Sequence, residues 1–195
     1  APDIGAAAYQ TNAYTMAARK LIYNSEVDRV FIFDQLERSR YGNTAFGNAC
    51  IAARRMLQAN VGVRFIQITQ GDWDQHQNIY LPNSGHIPLS RQFDSGLGTL
   101  ISDLKSDGLL DDTLIIAMGE FGRTVGALNA QAGRDHLIQQ AALVAGGRVR
   151  AGRVIGSTNA AGNTTAEPGW SRGRDVRAED VEATIYSALG IDWTT

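Results

Sequence analysis

The stretch GDWDQHQN, residues 71–78, puts Asp72, Asp74 and His76 within five positions of one another, directly after the apolar run VGVRFIQIT. Two further segments repeat the theme. GEFGRT carries Glu120 and Arg123, and GRDH carries Arg134, Asp135 and His136. Carboxylate oxygen together with imidazole nitrogen suits zinc, manganese or iron, and a thiolate site is excluded because the chain has one cysteine. Asp74 and His76 are two apart, so an extended backbone puts both on one side, within reach of one ion. Asp72 and His76 are four apart and would meet instead on a helical turn. A lone Asp-x-His pair is a weak signal and reads first as an acid capping a turn and an imidazole bonding backbone. Its recurrence in three segments shifts the balance toward an ion, with Asp72, Asp135 and Arg134 as alternative ligands or outer supports.

GEFGRT adds a second kind of chemistry. Gly119 and Gly122 would let the backbone approach a ligand closely. The planar fork of Arg123 suits phosphate, sulfate or carboxylate, the competing reading being an ion pair with Glu120 or Asp135. His86, in NSGHIP, has a looser context, and Trp73 reads as packing beneath its loop. There is no G-x-S-x-G nucleophile elbow and no phosphate-binding P-loop. AGGRVRAG, residues 145–152, is glycine-rich, but no helix follows it, and it reads as a turn.

The elements that must position these residues are legible in outline. Residues 6–23 have helical apolar spacing. Residues 25–36 are ambiguous, because VFIFDQL has strand composition inside charges at helical spacing. RYGN is a turn. Residues 44–59 form a helix with Arg54 and Arg55 outside, and VGVRFIQIT is a strand. A long loop leads to a helix from Pro88 or Leu89 to Ser106, with Phe93, Leu97, Leu100, Ile101 and Leu104 on one face and Gly96 and Gly98 against a neighbour. Strands follow at Leu114–Met118 and in AALVAG, residues 141–146. Residues 148–176 are irregular, with a short strand possible at 153–155. RAEDVEATIYSALGI is a last helix, with Glu179 and Asp180 in its first turn, where the helix dipole favours acids, and Gly190 at its end.

This alternation predicts an α/β fold with a largely parallel sheet flanked by helices. The apolar runs are continuous, as strands buried on both faces should be. In such sheets ligands gather beyond the carboxyl ends of the strands, where the first two chemistry-bearing loops would lie.

Composition narrows the partners. The chain has 195 residues, 44% hydrophobic and 19% charged, with a formal net charge of −2. That length predicts one α/β domain over residues 1–195, and the charge gives no footprint for nucleic acid. Clusters at Arg148, Arg150 and Arg153 and at Arg172, Arg174 and Arg177 read as solvated loops. Cys50 sits at core spacing in its helix and reads as a buried structural thiol. No run approaches the roughly 18 apolar residues of a membrane span. The chain opens without an initiator Met and closes at GIDWTT, which predicts a C-terminal portion of a longer domain.

GDWDQHQN, MGEFGRT, GRDH, LVAGGRVRAGRVIGST and EDVEATIYSALGID, in that order, resemble the marker segments of the bacterial family called domain of unknown function 1501. RYGNTAFGNACIAARRMLQANVGVRFI is similar as well, so the resemblance spans roughly residues 34–193. The resemblance implies an alkaline-phosphatase and sulfatase-like fold, incomplete here at its N-terminus, and a periplasmic or exported protein. It implies a metal-dependent hydrolase of phosphate or sulfate esters, small or polymeric, with Asp74 and His76 as a first ligand pair and His136 as the later histidine. GEFG would stand in place of an S-D-H-G turn, making Glu120 the equivalent acid and leaving Phe121 where a histidine should be. With Phe121 there, the second metal site of that superfamily would be impaired. No Ser or Thr stands where the nucleophile is needed. Glu120 and Arg123 are then the catalytic candidates, and the alternative is a catalytically degenerate exported binding protein.

Overall fold

Short polar residues decide where the first helices begin. The computed structural model describes residues 12–16, 18–19 and 23–194. Of the helix expected over 6–23, residues 12–16 and 18–19 are helical, Tyr23 lies in a turn, and the remainder fall outside the described residues. Helix α1 is Ser25–Val30 and α2 is Gln35–Arg40. The Asn24 side chain accepts from the Glu26 N–H, and Asp34 accepts from the Glu37 N–H. Asp34 therefore splits VFIFDQL: its carboxylate caps α2 instead of sitting in a strand, as a side-chain acceptor at this position favours.

After the Gly42–Asn43 turn, with positive φ at both residues, Thr44 caps helix α3, Ala45–Ala59. Left-handed Asn60 closes it. Helix α4, His86–Ser106, packs along α3. Their joint core is Tyr41, Cys50, Ile51, Leu97, Leu100 and Leu104. Fully burying a side chain such as Ile51 or Leu104 contributes about 1.5–3 kcal/mol. Gly96 permits the approach, since a Cβ there would fall 2.7 Å from the Phe46 ring. Gly98 has nothing within 4 Å, so only one of the two expected glycine contacts is made.

Arg54 and Arg55, expected outside, are folded back onto the protein. Arg54 donates to Asp107 and to Asp103, and Arg55 pairs with Glu37 and with the carbonyl of Ile32. Asp103 is the buried end of this network. It accepts from Arg40 at 2.6 Å, Arg54 at 2.8 Å and the Tyr41 hydroxyl at 2.9 Å. Burial, then the Asp103 carboxylate, pushes the Tyr41 hydroxyl well above its usual range. Burial pushes the Cys50 thiol up to about 12, which makes it inert.

The expected parallel sheet is not what forms. The described strands make three two-stranded sheets, all antiparallel. Strand β1, Leu114–Ala117, pairs with β4, Leu143–Gly146. A short ladder joins β2, Gly122–Arg123, to β3, His136–Leu137. Another joins β5, Ser157–Thr158, to β6, Thr165–Glu167. Parallel neighbours need a crossover, usually helical. The chain between β1 and β4 holds only the β2–β3 ladder and loops, so it returns beside β1 running the other way. The apolar runs misled for a second reason. Leu143 and Val144 are exposed, so β4 is not covered on both faces.

VGVRFIQIT belongs to no strand, and Phe65 and Ile66 face solvent while Ile68 packs on the helical core. Its β-branched composition favours extended backbone, but among the described residues no ladder partner lies beside it. Residues 153–155 are likewise not a strand; the short pairing falls at β5 instead. Helix α5, Ala178–Ala188, matches the expected last helix, with Glu179 and Asp180 in its first turn.

Candidate metal centre

The site is built where two loops cross, not beyond a sheet edge. Residues 74–79 run against residues 129–134. Gln77 bridges Ala132, the Asn78 N–H donates to the Gln131 carbonyl, and the Arg134 N–H donates to the Gln75 carbonyl. Gly133 makes the crossing possible: a Cβ there would fall 1.9 Å from the carbonyl carbon of His76. Asn129 clamps the junction. Its amide donates to the His76 carbonyl and to Asp135, while its oxygen accepts from the N–H groups of Gln131 and Gly133. The β2–β3 ladder then sets Arg123 opposite His136.

Three atoms that could ligate a metal converge there. His76 Nε2 lies 2.9 Å from Asp74 Oδ1 and 3.1 Å from His136 Nε2. His136 Nε2 lies 3.2 Å from Asp74 Oδ1. Tetrahedral zinc with nitrogen and oxygen bonds near 2 Å spaces its ligand atoms about 3.3 Å apart, so the triangle fits one face of such a site. Among the described residues Asp74, His76 and His136 are the one group of potential ligands this close together. They meet with 72–76 non-helical, so the two-apart spacing of Asp74 and His76 is the one used.

Hydrogen bonding around His76 strengthens the fit. Its Nδ1 lies 2.9 Å from Asp135 Oδ1. A carboxylate only accepts, so Nδ1 carries a proton, and in the neutral tautomer Nε2 presents a lone pair. That lone pair faces the Asp74 oxygen. His136 can give a proton to Asp74, while in that tautomer the contact between His76 and Asp74 is acceptor against acceptor, which a cation beside them relieves. Carboxylate behind histidine is also how metal-bound imidazoles are oriented.

Arg123 supplies the nearest positive charge. Its Nη2 donates to Asp74 Oδ1 at 2.6 Å, and its Nη1 lies 3.3 Å from His76 Nε2 and 3.3 Å from the Arg134 carbonyl. Its alternative partners from the sequence, Glu120 and Asp135, are not the ones it takes. The Arg123 hydrogen bond, then that of His136, lowers the Asp74 carboxyl to about 2. Asp135 is lowered too, by its bonds with His76 and Asn129.

The other candidates sit apart. Asp72, at positive φ, offers its carbonyl to the Gln75 amide, and the Glu120 carbonyl accepts from Gln140. Neither carboxylate joins the ligand group. Arg134 points away, to the Tyr80 hydroxyl and the carbonyls of Thr124 and Gly126. Gly122 does not open a path to a ligand; it lets the chain pass the Gln139 carbonyl, 1.7 Å from where a Cβ would be. His86 starts α4 beside Trp73 and Tyr80, and burial, then Arg134, lowers its pKa. Phe121 lies against the His136 ring, with centroids 4.2 Å apart.

Asn129 was missed by sequence reading. Its signal was available: an Asn four residues before a Gly in a long loop is a natural turn clamp. The whole site is open. Asp74, His136 and Asp135 are more than half exposed, and a depression of about 370 Å³ runs from Asp74 and His76 to Leu81, Ser84 and Gly85. Among the described residues no helix is long and apolar enough to cross a membrane. No curated protein and no solved structure matches the chain. The family model described as "Protein of unknown function (DUF1501)" matches residues 5–195, and the chain belongs to that family.

Proposed function

We propose that this chain is part of a metal-dependent hydrolase-like protein acting on phosphate or sulfate esters. The observation that carries the reading is the triangle of Asp74 Oδ1, His76 Nε2 and His136 Nε2, with Asp135 fixing the His76 ring from behind. Zinc, manganese or iron suits this donor set. When bound, such an ion polarises an ester oxygen and stabilises the charge that develops on it. The chain's own residues do the rest. Asp74, His76 and His136 hold the ion, Asp135 keeps the His76 Nε2 lone pair aimed inward, and Arg123 stands beside the triangle to pair with the oxyanion. The open depression beside Asp74 leaves room for the alcohol portion of an ester. An exported or periplasmic location is part of the same proposal and rests on the family resemblance.

One observation favours a second reading, a binding protein of the same fold that has lost catalysis. Phe121 lies on His136 where the resemblance calls for another metal-binding histidine. Metal content separates both readings from a purely structural loop. Purified protein is expected to carry about one zinc, manganese or iron per chain by mass spectrometry, and His76→Ala to carry none. Equal, negligible metal in both would sink the metal reading. Metal-loaded protein that binds aryl sulfates or phosphates without turning them over would leave the binding reading in place of the hydrolase.

A further inference from the structure

The cation that now serves the ligand triangle is the Arg123 guanidinium. It donates to Asp74 Oδ1 at 2.6 Å and approaches His76 Nε2 at 3.3 Å, two of the three atoms a metal would use. Asp74 Oδ1 would therefore have to serve the guanidinium and a divalent ion together, at a separation where like charges repel strongly. Arg123 has somewhere to go. Its backbone is fixed in β2, but its side chain has two other supports, the Arg134 carbonyl at 3.3 Å and the Phe121 ring at 5.4 Å. Neither of these supports involves Asp74.

We propose that Asp74 is exchanged between Arg123 and the metal ion, so that loading the ion releases a guanidinium beside it to bind an oxyanion. Two consequences follow from linkage. Arg123 and the ion are competitors for one carboxylate, and the ion and an oxyanion favour each other's binding. The anion is recognised as a tetrahedral oxyanion of the sulfate or phosphate class, through the planar fork of the freed side chain. The inference rests on the metal reading above and adds an order to it: ion first, anion second.

Calorimetric titration of zinc into the metal-free protein, its Arg123→Gln and its Arg123→Lys variants tests this. Arg123→Gln is expected to bind zinc about tenfold more tightly than wild type, within the usual range of site-to-site coupling, and Arg123→Lys to stay near wild type. Inorganic sulfate is expected to tighten zinc binding in wild type and to do so less in Arg123→Gln. Unchanged or weaker zinc binding in a folded Arg123→Gln overturns the exchange while leaving the metal site standing; no zinc binding in wild type overturns both. A readout on wild type alone guards against a variant that fails to fold. The Arg123 guanidinium protons, seen by nitrogen-resolved NMR, should shift and exchange faster on adding zinc. If they stay unmoved in zinc-loaded protein, the exchange does not occur.

Discussion

Two aspartates in this molecule are each gripped by arginine, and they do opposite things. Asp103 lies in the helical half, its side chain 8% exposed, and every group that meets it is a donor: Arg40, Arg54 and Tyr41. Asp74 lies where the loops cross, its side chain 64% exposed, and beyond its one arginine it meets two imidazole nitrogens. The first carboxylate is satisfied and buried, which is how a charge is made compatible with a core. The second lies in the open and shares one oxygen among Arg123 and two imidazole nitrogens, groups that can also serve a metal ion. Distance alone does not tell the two apart, since both have an arginine at 2.6 Å. The character of the remaining neighbours does.

Removing the first carboxylate should give the largest effect. Asp103→Ala leaves Arg54 and Tyr41 facing an empty acceptor position inside the α3–α4 packing. It is expected to cost about 3 kcal/mol in urea unfolding, the usual consequence of breaking a buried pair from one side. A loss below about 1 kcal/mol would mean that water satisfies the network as well as Asp103 does. Zinc affinity of the folded variant should not change, because no described contact links Asp103 to the loops.

The second prediction sharpens the contrast from the other side. Asp135→Asn removes the charge behind His76 without touching the three ligand atoms. Zinc affinity should fall by about 10- to 100-fold, as outer carboxylates typically require, while unfolding stability barely moves. The opposite pattern, lost stability with unchanged affinity, would make Asp135 a loop brace like Asn129.

The smallest effect concerns pH. Arg174, then the Arg177 N–H, holds the Asp180 carboxyl down to about 2 from its ordinary 3.8. A depressed carboxyl stabilises the fold above its unfolded value and loses that contribution as pH falls through its folded one. The first turn of α5 should therefore loosen as pH drops from about 4 toward about 2, in amide spectra recorded across that range. Arg174→Gln should move the Asp180 titration back up toward 3.8. A titration that stays put would assign the shift to the backbone bond instead.

The sequence disclosed the two regions unequally. The helices at 45–59 and 86–106 were legible from apolar spacing, but the second begins at His86, ahead of the expected Pro88 or Leu89, because no side-chain cap marks its start. Asp103 was legible too, as an acid inside the stripe of Leu97, Leu100 and Leu104, but it was passed over because its donors come from residues 40, 41 and 54. Strand direction was not legible. Val, Ile and Leu runs say that backbone is extended and apolar, and neither property states which strand lies alongside or whether any does, as residues 61–69 illustrate. At the site, residue types and the repeated acid-base pattern singled out the segments that meet. They did not separate Asp74 from Asp72, or Arg123 from Arg134, because which of two neighbours points inward depends on local φ and ψ. Asp72 lies at positive φ, and Arg134 turns its side chain toward Tyr80.

Gly133 has a consequence beyond this one chain. The prohibition there is steric, since a Cβ would overlap the His76 backbone itself and no side-chain adjustment could relieve it. Every other amino acid carries that Cβ. The residue at this position is thus closed to substitution for as long as the crossing is kept. A relative that has acquired any side chain there should have parted the two loops, and its histidines, even if retained, should no longer meet. The crossing can in this way be checked along a lineage from one aligned column, with no coordinates at all.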